Sequence, residues 1–164
     1  MKYDEGQIEK LYQENLSGAR YLLASLPVAE GRKPTAKELS GWVYEQTIRY
    51  CLSQESEALG IPLIITEQVP LRGRAKIDLL IGRVAVEIKV LGSFGDDARK
   101  YKGYRAMVEE KGWAYCYLTR CETYQPYRTA IESVFGRERA FFLDTQGDWE
   151  RFVREVLTND EITT

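Results

Sequence analysis

The sequence predicts an α/β fold: a mixed central β-sheet flanked by helices on both sides. Three observations predict it. Residues Lys76 to Val90 read as a β-hairpin, Trp113 to Leu118 form a continuous aromatic and apolar run, and helical periodicities alternate with these strands. From the second helix onward the order is helix, strand, hairpin, helix, strand, helix, strand, helix, which suits a sheet covered on two faces. A chain of 164 residues fits one domain. Its parts are an N-terminal helix and loop (1–34), a core (35–118) and a C-terminal helix–strand–helix (119–164).

Residues Gln7 to Leu26 place Ile8, Leu11, Tyr12, Ala19, Leu22, Leu23 and Leu26 close to helical spacing, giving a first amphipathic helix with a structural role. Pro27 to Pro34 reads as a connecting loop. Thr35-Ala36-Lys37-Glu38 is a capping box, in which the Thr hydroxyl and the Glu carboxylate satisfy the first unpaired amides of a second helix. That helix runs to about Leu59 and is ended by Gly60 and Pro62. Its expected buried stripe is Leu39, Trp42, Val43, Gln46 and Tyr50. Glu45 lies beside the stripe, either as a surface partner of Arg49 or as a group that serves a site. Leu63 to Val69 is a strand halted by Pro70, and Leu71-Arg72-Gly73-Arg74 turns the chain into the hairpin.

The hairpin turns at Gly82-Arg83, where glycine in the first central position marks a type II′ turn. Ile81 then pairs with Val84, Asp78 with Glu87, and Lys76 with Lys89. One face carries Ile77, Leu79, Ile81, Val84, Val86, Ile88 and Val90, all apolar and therefore core. The other carries Lys76, Asp78, Leu80, Ala85, Glu87 and Lys89. Directly opposed Cβ atoms sit about 4.5–5.5 Å apart, so two carboxylates are brought together with a lysine two residues along. Like charges across a ladder destabilise it. A divalent cation removes the conflict, and Mg²⁺ suits two carboxylates while keeping waters for a substrate phosphate. A solvated face neutralised by Lys76 and Lys89 is the alternative.

Beyond the hairpin, Gly92-Ser93-Phe94-Gly95 is a loop, and Asp96 or Asp97 caps a third helix ending near Gly112. Its start, Arg99-Lys100-Tyr101-Lys102-Gly103-Tyr104-Arg105, is dense in basic and aromatic residues, as a phosphate-gripping face or a solvated one. Trp113 to Leu118 is a buried strand in which Cys116 packs as core. A short helix from Pro126 to Phe135, a strand at Ala140 to Leu143 and a helix from Asp148 to Leu157 close the fold, and Asn159 to Thr164 should fray.

Composition narrows the chemistry. There is no histidine, so no Ser-His-Asp or Cys-His nucleophile, histidine base or histidine metal ligand is available. Acid–base and metal work must rest on Asp, Glu, Lys or Tyr. The chain has no phosphate-binding Gly-Lys-Ser/Thr loop, no apolar run near the roughly 18 residues of a membrane span, and no signal-peptide pattern at Met1-Lys2-Tyr3. Three cysteines fit reduced thiols in the cytoplasm. A net charge of −2 gives no global attraction to nucleic acid, so DNA contact needs local basic patches.

Asp78, eight residues, then Glu87-Ile88-Lys89 is similar to the PD-(D/E)xK signature of the restriction-endonuclease-like nuclease superfamily. The resemblance covers about Glu38 to Leu118, element order included, and Val43-Tyr44-Glu45 and Glu67 to Leu71 look like its small GxxExxY branch. Ile77 stands where proline often precedes the aspartate. Lys100 stands four residues before Tyr104, where many exonuclease and repair members carry glutamine. The resemblance implies a Mg²⁺-dependent DNA endonuclease of restriction type, with Mn²⁺ able to substitute. Asp78, Glu87 and the Ile88 backbone carbonyl would bind the metal, and Glu45 would be an outer or additional ligand. Lys89 would orient the attacking water and stabilise the charged transition state. Candidate DNA contacts are Arg72, Arg74, Lys76, Ser93, Arg99, Lys100, Lys102 and Tyr104. Cutting both strands would need a homodimer or a partner subunit. A structure-specific repair or junction-resolving nuclease, an RNA nuclease, and a non-catalytic nucleic-acid-binding module on the same fold are the competing readings.

Overall fold

The computed structural model describes residues 1–25, 30–90, 94 and 97–158. Its elements are α1 (Glu5–Ser25), α2 (Ala36–Leu59), β1 (Ile65–Pro70), β2 (Lys76–Ile81), β3 (Val84–Lys89), α3 (Ala98–Glu110), β4 (Ala114–Thr119), α4 (Gln125–Phe135), β5 (Ala140–Phe142) and α5 (Asp148–Thr158). The strands form a five-stranded sheet in the order β1–β2–β3–β4–β5. The first three are antiparallel, and β3, β4 and β5 run parallel. This is the mixed sheet that the sequence predicts, and helices cover both faces. Among the described residues no helix is long and apolar enough to cross a membrane.

Period-two alternation divides the core in two. Cys116 and Leu118 of β4, with Phe141 of β5, pack against Ile8 and Tyr12 of α1, Ile48 and Leu52 of α2, and Trp149 and Phe152 of α5. Tyr115 and Tyr117, with Ala140 and Phe142, face the other way, onto Tyr101 and Val108 of α3 and Ile131 and Phe135 of α4. Cys116 is fully buried, as expected of a core residue. All three cysteines are free.

Helix α2 begins at Thr35, whose hydroxyl oxygen accepts from the Glu38 amide at 3.1 Å and donates to the Glu38 carboxylate at 3.1 Å. The capping box therefore closes through the hydroxyl rather than through the Thr35 amide. Gly60 ends the helix with φ +68°, and its amide donates to the Glu57 carbonyl at 3.2 Å. Only glycine adopts this left-handed cap without strain. Gly60→Ala should lower stability by about 1 kcal/mol, read as a reduced denaturation midpoint with an unchanged slope.

The buried stripe of α2 differs from expectation. Tyr44, Ile48, Cys51, Leu52 and Glu55 are buried, while Trp42 and Tyr50 are exposed. Helices α1 and α5 press on the line through Tyr44, Ile48 and Leu52, so the partners choose which of two apolar faces is covered. Glu55 has no access to water but is fully engaged. It accepts from the amides of Lys2 (3.1 Å) and Tyr3 (2.9 Å) and from the Trp149 indole (3.3 Å).

At the start of α3, Asp97 occupies the cap position but makes no side-chain cap bond. Its own backbone is already helical, and its amide donates to the Phe94 carbonyl at 3.1 Å. Leu26, Pro27, Gly92, Ser93, Gly95, Asp96 and residues 159–164 lie outside the described residues.

Candidate active site

The turn between β2 and β3 forms as the sequence predicts. Gly82 has φ +58° and Arg83 does not share the positive region, the sign pattern of a type II′ turn. Ile81, Leu80 and Leu79 pair with Val84, Ala85 and Val86, and there the ladder ends. The expected direct pairings of Asp78 with Glu87 and of Lys76 with Lys89 do not form. From Val84 to Lys89, β3 is held along its whole length by β4, whereas β2 stays with β1 as far as Lys76. The two strands part as they leave the turn. Ile77 accordingly packs with Leu71, Ala75 and Tyr117 rather than beside Ile81, which breaks the strict alternation expected of β2.

Asp78 is also missing from the register with β1, which pairs Glu67 with Leu79 and Val69 with Ile77. The residue across from it, Gln68, has φ +50°, the one positive value outside glycine among the described residues. A side-chain-bearing residue held there is strained. Asp78 therefore has no ladder partner on either side, and it lies where β2 parts from β3.

The two acids still meet. Glu87 is 3% exposed and accepts a hydrogen bond from the Tyr115 hydroxyl at 2.8 Å. Burial, then the adjacent Asp78 carboxylate, push its pKa up to about 8, against smaller opposing effects of the Tyr115 hydrogen bond and Lys89. The neutral form of Glu87 is further favoured by its hydrogen bond to Asp78. Tyr101 of α3 belongs to the same buried cluster as Tyr115 and feels the Glu87 charge. Burial and the Glu87 charge raise the pKa of its phenol, as they do for Tyr115.

An open cleft of about 340 Å³ reaches Asp78 from the α2 side, with Glu87 buried behind it, and is lined by Glu45, Asp78, Ile88 and Lys89 together with Gly41 and Trp42. Burial and then Asp78 raise the pKa of Glu45. Arg49, the alternative partner for Glu45, is ion-paired with Glu67 of β1. Glu45 lines the cleft, and the Arg49 charge acts on it from beyond ion-pair distance. Helix α2 and strands β2 and β3 bring Glu45, Asp78, Glu87 and Lys89 into one place, although they are up to 44 positions apart in the chain. A larger depression near Arg120 and Asp144 holds the Glu9–Arg120 ion pair, has Asp144 paired with Arg128 beyond its lining, and also carries Asp4 and Glu5.

No family model, curated protein or solved structure matches this chain. The site is therefore read from its own geometry.

Two carboxylates, within the one or two that Mg²⁺ uses, are available there to a hard divalent cation. The acid pair offers carboxylate oxygens whose mutual repulsion is relieved either by a proton on Glu87 or by a cation, and Ile88 lines the cleft beside them. Among the described residues, no three His, Cys, Asp or Glu side chains stand together as a complete metal-holding group. Such a donor set suits Mg²⁺, which is held by one or two carboxylates and keeps its other positions for water and substrate oxygens.

The predicted DNA contacts are spread more widely. Arg72 is exposed and paired with Glu110 at 2.9 Å, while Arg74, Lys76, Arg99 and Lys102 are exposed. The Lys100 ammonium stands over the rings of Tyr101 (5.4 Å) and Tyr104 (5.5 Å), and Tyr104 is half-buried. Ser93 lies outside the described residues. Tyr115, Tyr101 and Trp42 are the site residues that sequence reasoning missed. The alternation of Tyr115 and Tyr117 placed them on one face, but not which neighbour that face met. Trp42 stands three positions before Glu45, a spacing that carried the signal.

Proposed function

We propose that this chain is a Mg²⁺-dependent DNA endonuclease that hydrolyses phosphodiester bonds, with the PD-(D/E)xK motif at Asp78, Glu87 and Lys89. The observation that carries the reading is the convergence of Asp78, Lys89 and Glu45 on one open cleft, with buried Glu87 pressed against Asp78. Asp78, Glu87 and the Ile88 carbonyl would hold the cation, with Glu45 as an outer or additional ligand. Bound Mg²⁺, for which Mn²⁺ substitutes, supplies Lewis acidity and lowers the pKa of water. Tyr115 fixes the orientation of Glu87. Lys89, with no histidine available, orients the attacking water and offsets the negative charge that develops on the phosphoryl oxygens. The basic start of α3, beyond Tyr101, is the surface for the flanking phosphates.

Each chain carries one such site, so cutting both strands of a duplex takes a homodimer or a partner subunit. The free thiols of Cys51, Cys116 and Cys121 suit a cytoplasmic setting.

Incubation with supercoiled plasmid tests the reading. Nicked circles should appear with Mg²⁺ or Mn²⁺ and be absent with chelator or in Asp78→Asn. Intact plasmid under both metals would favour a non-catalytic nucleic-acid-binding module.

A further inference from the structure

We propose that Trp42 stacks on an unpaired nucleobase next to the scissile phosphate, so that the site prefers single-stranded DNA to continuous duplex. This inference rests on the nuclease reading and names the substrate class for it.

Indole rings bury some 150–250 Å² when packed and dominate the surfaces where they are left open. Trp149 is 1% exposed, whereas Trp42 is 60% exposed. It stands on α2 in the wall of the cleft that holds Asp78 and Lys89, one helical turn before Glu45. Beside it, Gly41 sits inside the helix, where glycine costs about 1 kcal/mol relative to alanine. No packing demand explains that glycine: a Cβ there would meet no atom within 4 Å, and the residue borders the same cleft. An exposed indole and a glycine with open space at its Cβ position thus stand side by side in the wall of the cleft. Ile88 and Val90 extend that wall towards the acids.

The chemistry of this arrangement is that of a nucleotide: a planar ring with apolar faces at one end, and an anion beside a lysine and a carboxylate pair at the other. A cleft of about 340 Å³ has the size of a small-molecule site, so a base that enters it does so singly and not within a stacked duplex. In a duplex the bases are stacked on one another and out of reach, so the occupant is an unpaired or extruded nucleotide. Stacking on an aromatic ring tolerates any base, since each presents a π-face. The inference therefore favours strand character over sequence.

The test uses the full chain with Ca²⁺ in place of Mg²⁺, a 12-nucleotide oligo-dT and a blunt duplex of equal length. Oligo-dT should quench the emission of the wild type, and the quenching should vanish in Trp42→Phe. Trp42→Ala should bind oligo-dT about 5–100-fold more weakly, with Trp42→Phe retaining most of the affinity. Duplex should bind more weakly than oligo-dT and be indifferent to the substitution. Unchanged oligo-dT affinity in Trp42→Ala, equal affinity for duplex, or no binding at all would each overturn the proposal. A single-stranded circle with Mg²⁺ separates the two levels. If wild type and Trp42→Ala cut it equally, the stacking role falls and the nuclease stands. If neither cuts it although Trp42 is quenched, the nuclease reading falls and the stacking stands.

Discussion

Lys89→Ala should lower the rate of plasmid nicking by about 10²–10³-fold, the usual cost of removing one group that stabilises developing charge. The side chain closes β3 at the edge of the cleft. Its backbone is pinned independently, because the Arg120 amide donates to the Lys89 carbonyl at 3.1 Å. Lys89 also pairs in register with Thr119 of β4. Removal of the half-buried ammonium should leave the fold intact, so the thermal midpoint should stay within a few degrees of wild type. Lys89→Arg should restore little, since a planar fork does not reproduce a compact point charge. Single-turnover cleavage of plasmid beside a thermal melt separates the two quantities. Wild-type rates in the alanine variant would remove lysine from the chemistry.

The second large effect is on stability against pH. Glu87 titrates near 4.5 in the unfolded chain and at about 8 in the fold. Between these values the folded state binds the extra proton, so stability falls as pH rises through the window. The contribution of Glu87 is most favourable below about pH 4.5 and its penalty is complete above about pH 8. Burial and Asp78 push Glu45 in the same direction, which adds to the slope. In the metal-free protein, Glu87→Gln should flatten this profile. The amide oxygen can still accept from Tyr115, and no charge is left to ionise. At pH 8 the variant should be the more stable by an amount on the order of a few kcal/mol. Mg²⁺ should raise the midpoint of the wild type more at pH 8 than at pH 5, where it must displace a proton. Denaturation at four pH values, with chelator and with Mg²⁺, reads both effects. A midpoint that rises from pH 5 to pH 8 without metal would contradict the buried, raised glutamate.

Much of this was legible in the residues. The hairpin announced itself because Gly82 fixes its turn and the flanking apolar residues alternate at period two. The meeting of Asp78 and Glu87 followed from that register. The route by which they meet did not. Local patterning describes a hairpin in isolation, whereas parallel pairing with β4 holds β3 and lets β2 peel away with β1. The same limit explains Tyr115. Its parity with Tyr117 was visible, but only the parallel register with Ala85 sets its hydroxyl under Glu87. On α2, Val43 is buried and Leu39 packs against the core as expected, whereas Trp42 and Tyr50 stay exposed and Tyr44 and Ile48 are covered instead. Propensity and periodicity do not say where neighbouring helices press. The helix caps, by contrast, depend on a few adjacent residues, and Thr35 and Gly60 stand where they were expected.

The gap in the strand pairing around Asp78 has a mechanical consequence. Glu87 is wedged beneath Tyr115 and cannot give way without disturbing an aromatic cluster. Asp78 has no ladder partner of its own, although Ile77 and Leu79 on either side of it are paired with Val69 and Glu67 of β1, so it sits at a one-residue gap in an otherwise continuous ladder. One acid is thus locked into the core and the other stands at a break in the ladder, an asymmetry that any two-carboxylate grip on a cation would inherit.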